Sequence, residues 1–425
     1  EWSDDIDCPT IAPYCVVTVE EAAKPGAADS ATVYFTLNYE GVLGKTSDDE
    51  ILVDKPVTVK DLDGDGQLTF DEALVAAHEA YCPAGTDGYK QSGGQVQKLW
   101  DRTDAANPLN ETNNYFIVNN VPINSGVPNV TIKDGDYLYA SANVDSKYWS
   151  DYFTYFDRRT AEVEAYQDLT LNLKGIPSMV ADVTEDSFAP RNISDISLGL
   201  WKDGTFETFD NAKTDANGNV TLSFDKAGTY YVTAKGTVHA TIGDYSEGHT
   251  GEAIEVDCPI MAPYCVVTVT PAQFVTATVS YTGQAEGDFV TLGVDTEVRS
   301  NLAESYGFTD NVDAKTGVSA LDVLVQAHID YHGKDFTKAE ARTYLDVSDT
   351  GAISAMFGVK SSNLCYLVNG TAADKNVNNY KVADGDNVLF AFFQDTSKWS
   401  DQYTYLAGTD GKALDGQTLE AGKKV

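Results

Sequence analysis

Residues 7–19 read DCPTIAPYCVVTV, and residues 257–269 read DCPIMAPYCVVTV, an offset of 250. The same offset sets His78 and Tyr81 against His328 and Tyr331, DGDYLYA from Asp134 against DGDNVLF from Asp384, and WSDYFTY from Trp149 against WSDQYTY from Trp399. A match kept over that distance means duplicated modules rather than one large core. It also allows an internal comparison of what both copies keep and what one has lost. No catalytic constellation is kept. The five histidines show neither HExxH nor triad-like spacing, and nothing singles out one carboxylate pair from 65 acidic residues. The chain reads as a non-enzyme.

With 29 basic residues against those acids, the net charge is −36. Such a field repels phosphate backbones and anionic lipid, so nucleic acid and membrane surfaces are poor partners. It suits cations and neutral ligands, and solubility alone is the plainer account. No run approaches the ~20 apolar residues of a membrane helix. The chain opens at Glu1 without a signal peptide, and both ends read as cuts in a longer protein.

Cys8 and Cys15 are seven apart, as are Cys258 and Cys265, with prolines between them. An extended or turning backbone there can close a short disulfide loop, and paired bridges place a protein outside a reducing cytoplasm. Cys82 and Cys365 stand at non-equivalent positions and are either two free thiols or one bridge between modules.

Each copy begins with the β-branched run CVVTV, then a second strand (ATVYFTLNYE or TATVSYTG) and a helix (FDEALVAAHEAY at 70–81, ALDVLVQAHIDY at 320–331). Two more strands follow, so each copy is expected to be α+β. His78 and His328 fall on the apolar helix face and read as satisfied core residues. The segment between the copies alternates polar and apolar residues. Its VTLSFDKAGTYYVTAKG (220–236) resembles the closing hairpin of bacterial immunoglobulin-like domains.

DLDGDGQLTFDE at 61–72 fits a calcium loop of the EF-hand type. Asp61, Asp63 and Asp65 supply carboxylates, Gly66 permits the sharp turn, Gln67 offers a backbone carbonyl, and Glu72 can bind through both oxygens. The segment entering the loop looks like a strand, making a loop–helix site. An Asp/Gly-rich turn before a capped helix is the plainer alternative. In the second copy, NVDAKTGVSALD at 311–322, Lys315 stands where Asp65 does, Thr316 replaces the turn glycine, and Asp322 is shorter than Glu72. An ammonium group repels a divalent cation, so no second metal site is expected.

In strand geometry Trp149, Asp151, Phe153 and Tyr155 would share a face, as would Trp399, Asp401, Tyr403 and Tyr405. Rings interleaved with a carboxylate suit a neutral, hydroxyl-rich ligand, and Tyr148 and Tyr152 thicken the first cluster. The alternative is that these rings fill a core or an interface.

APxCVVTV, the dockerin-like loop, VNG/VNN, V-x-DGD and WSDxY(S/T)Y together resemble repeat modules of large secreted surface proteins of gut Firmicutes. The DGD-containing half is similar to the β-grasp-like domain at the C-terminus of transcobalamins. The resemblance covers both long modules and implies two β-grasp-like α+β modules separated by an immunoglobulin-like β-sandwich. The first, with the calcium loop, takes residues 1–157. The sandwich takes 158–256, the second module 257–412, and a further strand or linker begins at 413–425. The resemblance also implies a secreted or bacterial cell-surface location. The expected function is a non-catalytic adhesin for a polysaccharide or oligosaccharide, starch-like α-glucan first, with other surface proteins as further partners. Its ligand residues would be Trp149, Asp151, Tyr152, Tyr155, Trp399, Asp401, Tyr403 and Tyr405. The alternative is a structural stalk or protein-binding spacer.

Overall fold

The duplication is visible in how the strands pair. In the first copy of the computed structural model, Ser30–Tyr39 pairs antiparallel with Lys55–Lys60 and parallel with Tyr137–Ala142, which pairs antiparallel with Asn114–Val118. In the second copy, Phe274–Thr282 pairs antiparallel with Phe289–Arg299 and parallel with Asn387–Phe392, which pairs antiparallel with Leu364–Val368. The structure describes residues 30–102, 114–202, 205–246, 248–282, 289–361, 363–395, 397–398, 400–402, 404 and 421.

One helix packs into each copy's core. Phe70–Tyr81 is capped by Thr69, whose hydroxyl accepts the Glu72 N–H while Glu72 accepts the Thr69 N–H. Ser319 and Asp322 repeat this capping box before Ala320–His332. Phe70, Leu74 and Ala77 bury their side chains with Val33, Phe35 and Leu138 of the sheet. Leu321, Leu324 and Val325 do the same with Val279, Val388 and Phe390.

The expected α+β class with β-grasp-like modules is overturned. The chain is mostly β, with 44% strand, 13% helix and many small sheets. Among the described residues each copy holds a single helix longer than four residues, and the stretches after it go into short strands and turns. A lone three-turn helix covers part of one sheet face and does not form a second layer of equal weight.

The chain divides into two units, residues 1–151 with 242–254 and residues 152–241 with 255–425. In the second unit, the intervening segment forms a five-stranded sheet beside one built on Asp168–Pro177. The CVVTV run at Cys265–Thr270, read as the opening strand of the second copy, lies inside that five-stranded sheet. It pairs parallel with Thr160–Glu164 and antiparallel with Gly228–Lys235. Tyr152–Phe156, read as the tail of the first copy, pairs with Asp168–Pro177 in the same unit. Among the described residues no helix is long and apolar enough to cross a membrane.

Candidate functional site

Lys55–Lys60 delivers the chain directly into the loop at Asp61, and Thr69 starts the helix beyond it. Gly64 and Gly66 take positive φ, where a side chain would be strained. Asp61 accepts the N–H groups of Gly64 and Gly66 at 2.7 and 2.8 Å, and the Gly66 bond leads in holding its carboxyl below the ordinary range. Asp63 accepts the Asp65 N–H, and Asp65 accepts the Gln67 N–H. Glu72 closes the ring, one oxygen accepting the Leu62 N–H at 2.6 Å and the other the Thr69 N–H at 2.8 Å. Carboxylate oxygens have lone pairs to spare, so these bonds orient the groups and leave acceptor sites open.

One oxygen each from Asp61, Asp63 and Asp65 lies within 4.8 Å of the others. Two oxygens on one calcium at 2.3–2.6 Å can be separated by about 5 Å at most, so the trio fits a single ion. Glu72 and the Gln67 carbonyl are the further ligands the loop pattern supplies.

The second loop differs in more than side chains. Arg299 ends the strand and Ser319 caps the helix, about twice the separation found in the first copy. Lys315 directs its ammonium to Glu162 at 2.7 Å. Asp322 is buried and accepts the Ala303 and Ser319 N–H groups. Burial, with Asp310 adding to it, pushes its carboxyl up to about 7. An acid held this way is spent on the helix cap and the inserted turn.

The WSD segment begins as a loop, not a strand. Trp149 has φ 56, and the strand starts at Tyr152. Asp145, not singled out by the sequence reading, accepts the N–H groups of Lys147, Tyr148 and Ser150 and the Ser150 hydroxyl. Asp151 is buried and accepts the Val144 and Asp145 N–H groups at 2.8 Å, while burial raises its carboxyl to about 6. The second copy repeats the bracing. Asp395 accepts Ser397, Lys398 and Ser400, and Asp401 accepts the N–H groups of Gln394 and Asp395. The Asp–Ser–Asp spacing shared by 145–151 and 395–401 was the available signal.

The loop leaves the Trp149 side outward, at 42% exposure. Asp151 and Tyr152 are buried, and Tyr155 is half-buried in its strand, so the expected single face does not form. Trp399, Tyr403 and Tyr405 lie outside the described residues, as do Cys8, Cys15 and, apart from residue 421, the 413–425 segment.

The expected Cys258–Cys265 bridge is absent. Both residues are buried, Cys265 is a free thiol, and Cys82 and Cys365 are free as well. Cys265 belongs to the sheet interior, and burial lifts its thiol to about 12. Sequence spacing had suggested a closed loop, but the two residues serve different sheets.

No family model matches this chain, and no curated protein matches it.

Proposed function

We propose that this is a non-catalytic extracellular glycan-binding protein, of the kind carried on bacterial surfaces, with a starch-like α-glucan as ligand and calcium bracing the first copy. The observation that carries this reading is Trp149, a large ring left 42% exposed on a loop fixed by six hydrogen bonds to Asp145 and Asp151. A rigid exposed indole offers a stacking face at low entropic cost. The charge of −36 disfavours anionic polymers and suits neutral sugars. The resemblance to surface modules of starch-degrading gut bacteria points the same way.

Burial of Asp151 and Tyr152 favours a second reading, in which the WSD segments are structural and the chain is a stalk or protein-binding spacer. Trp149→Gly separates the two. Glycine accepts the positive φ, so the substitution removes the ring while easing the backbone. The glycan reading expects retention on insoluble starch to fall about tenfold or more, with the melting temperature unchanged or higher. A variant that melts far below the parent, from a parent that no glucan retains, would leave the stalk reading standing.

A further inference from the structure

The first unit includes residues 242–254, the tip of the ribbon formed by Thr237–Asp244 and Glu252–Pro259. A ribbon end from far along the sequence therefore belongs to the same unit as the loop that carries Trp149. Lys147, two residues before Trp149, is near enough to Asp244 at the tip for their charges to act on each other. Lys147 also donates to the Tyr148 hydroxyl and stands 4.3 Å over the Tyr148 ring.

The tip presents its own aromatic residue. Tyr245 is 50% exposed, and its ring lies against bare backbone: a Cβ at Gly251 would stand 2.9 Å from it. Gly251 has φ +102, so the position favours glycine on two counts. Ser246 donates both its N–H and its hydroxyl to Asp244, fixing the turn. The His249 ring nitrogen lies 3.5 Å from Asp244 and 3.6 Å from Glu252. An aromatic ring with an imidazole and carboxylates around it is thus held on the same unit as Trp149.

We infer that the ribbon tip is the second wall of the glycan site, with Tyr245 stacking on one sugar ring and His249 and Glu252 taking hydroxyl hydrogen bonds, while Trp149 stacks on another. This rests on the function proposed above. The occupant is a neutral oligosaccharide of several residues. Its C–H faces match the two rings, its hydroxyls match the imidazole and carboxylates, and the acidic surroundings repel an anion.

The test is calorimetric titration of the full chain with maltoheptaose, comparing the parent with Trp149→Gly, Tyr245→Ser, Tyr245→Phe and Gly251→Val. Trp149→Gly and Tyr245→Ser should each weaken association about tenfold or more, with melting temperatures close to the parent's. Tyr245→Phe keeps the ring and should stay near parental affinity. Gly251→Val should displace the ring and weaken association without removing it. If the parent binds, Trp149→Gly loses binding, and Tyr245→Ser and Gly251→Val do not, the ribbon wall is overturned and the proposed function survives. If the parent binds neither maltoheptaose nor amylopectin, both fail together.

Discussion

His78 and His328 show what duplication preserves in single residues. In each, Nδ1 lies within hydrogen-bond distance of the carbonyl four residues back, at 2.6 Å to Leu74 and 2.8 Å to Leu324. In each, Nε2 accepts a backbone N–H at 2.9 Å, from Trp100 or Phe357. Both of those donors sit at positive φ, so the imidazole pins a strained turn. Only the neutral ring with its proton on Nδ1 satisfies both bonds, because a proton on Nε2 would face another N–H. Burial drives the pKa down to about 4 at His78 and about 3 at His328. The folded-state value lies below the unfolded one, so this stabilisation is complete above about pH 6.5 and drains as pH falls toward the folded value. Asp151 works in the opposite direction, because its raised pKa favours the folded state as it takes up a proton, so the parent's overall curve hides the histidine. The comparison with His78→Phe isolates it. That substitution orphans the Trp100 N–H, and its cost in urea denaturation should shrink by about 2 kcal/mol between pH 7 and pH 5. An equal cost at both pH values would show that His78 is not held neutral. Imidazole NMR offers a direct check, with His78 and His328 expected to stay neutral at pH 5.

At the level of elements, the helix cap and the proposed calcium site share one loop, and mutation can separate them. Glu72 caps the helix through the Thr69 N–H and is the proposed last calcium ligand, whereas Asp63 makes no bond to the helix. Asp63→Ala should abolish calcium binding and leave the calcium-free stability nearly unchanged. Glu72→Ala should abolish binding and also cost about 1 kcal/mol with chelator present, through loss of the cap. A calcium titration of the parent should return one site; two equivalent sites, or none, would refute the assignment. The two helices and the turn at Gly66 are legible because each is written within a few consecutive residues. The WSD loop is hard to read because its alternation suits a strand, whereas the turn depends on Asp145, outside the motif, acting together with Asp151. The α+β reading failed for a related reason. A helix is conspicuous in sequence, while the short strands around it carry weak periodicity, so the helix is given too much weight.

Across the whole molecule, the sequence repeat and the folding units are out of phase. A β-branched run states that it is a strand but not which sheet it joins, so CVVTV at Cys265–Thr270 was assigned by sequence to the copy it precedes. It occupies an inner position, between Thr160–Glu164 and Gly228–Lys235. Ending a fragment at residue 256 removes that strand and leaves two unpaired edges where a continuous sheet should be. Starting at 158 also removes Tyr152–Phe156, which contributes five paired positions with Asp168–Pro177. A fragment of 158–256 should therefore fail to fold, while 152–272 should melt cooperatively. The longer fragment gives up its links to the second copy, among them Arg299, which lies 4.4 Å over the Tyr166 ring. Lys315–Glu162 and Lys338–Asp168 are exposed ion pairs, worth about 0–1 kcal/mol each. The buried bond from the Ser300 hydroxyl to Glu164 is the larger loss, because it leaves a carboxylate oxygen unpaired until water reaches it. The fragment should thus melt somewhat below the same segment in the full chain, and the gap should widen at acid pH. Burial raises the Glu164 carboxyl in the intact protein, so taking up a proton favours the intact fold, and exposure in the fragment removes that gain. Calorimetry of both fragments decides the matter: a cooperative transition from 158–256 matching that of 152–272 would show that Cys265–Thr270 is dispensable to the sheet.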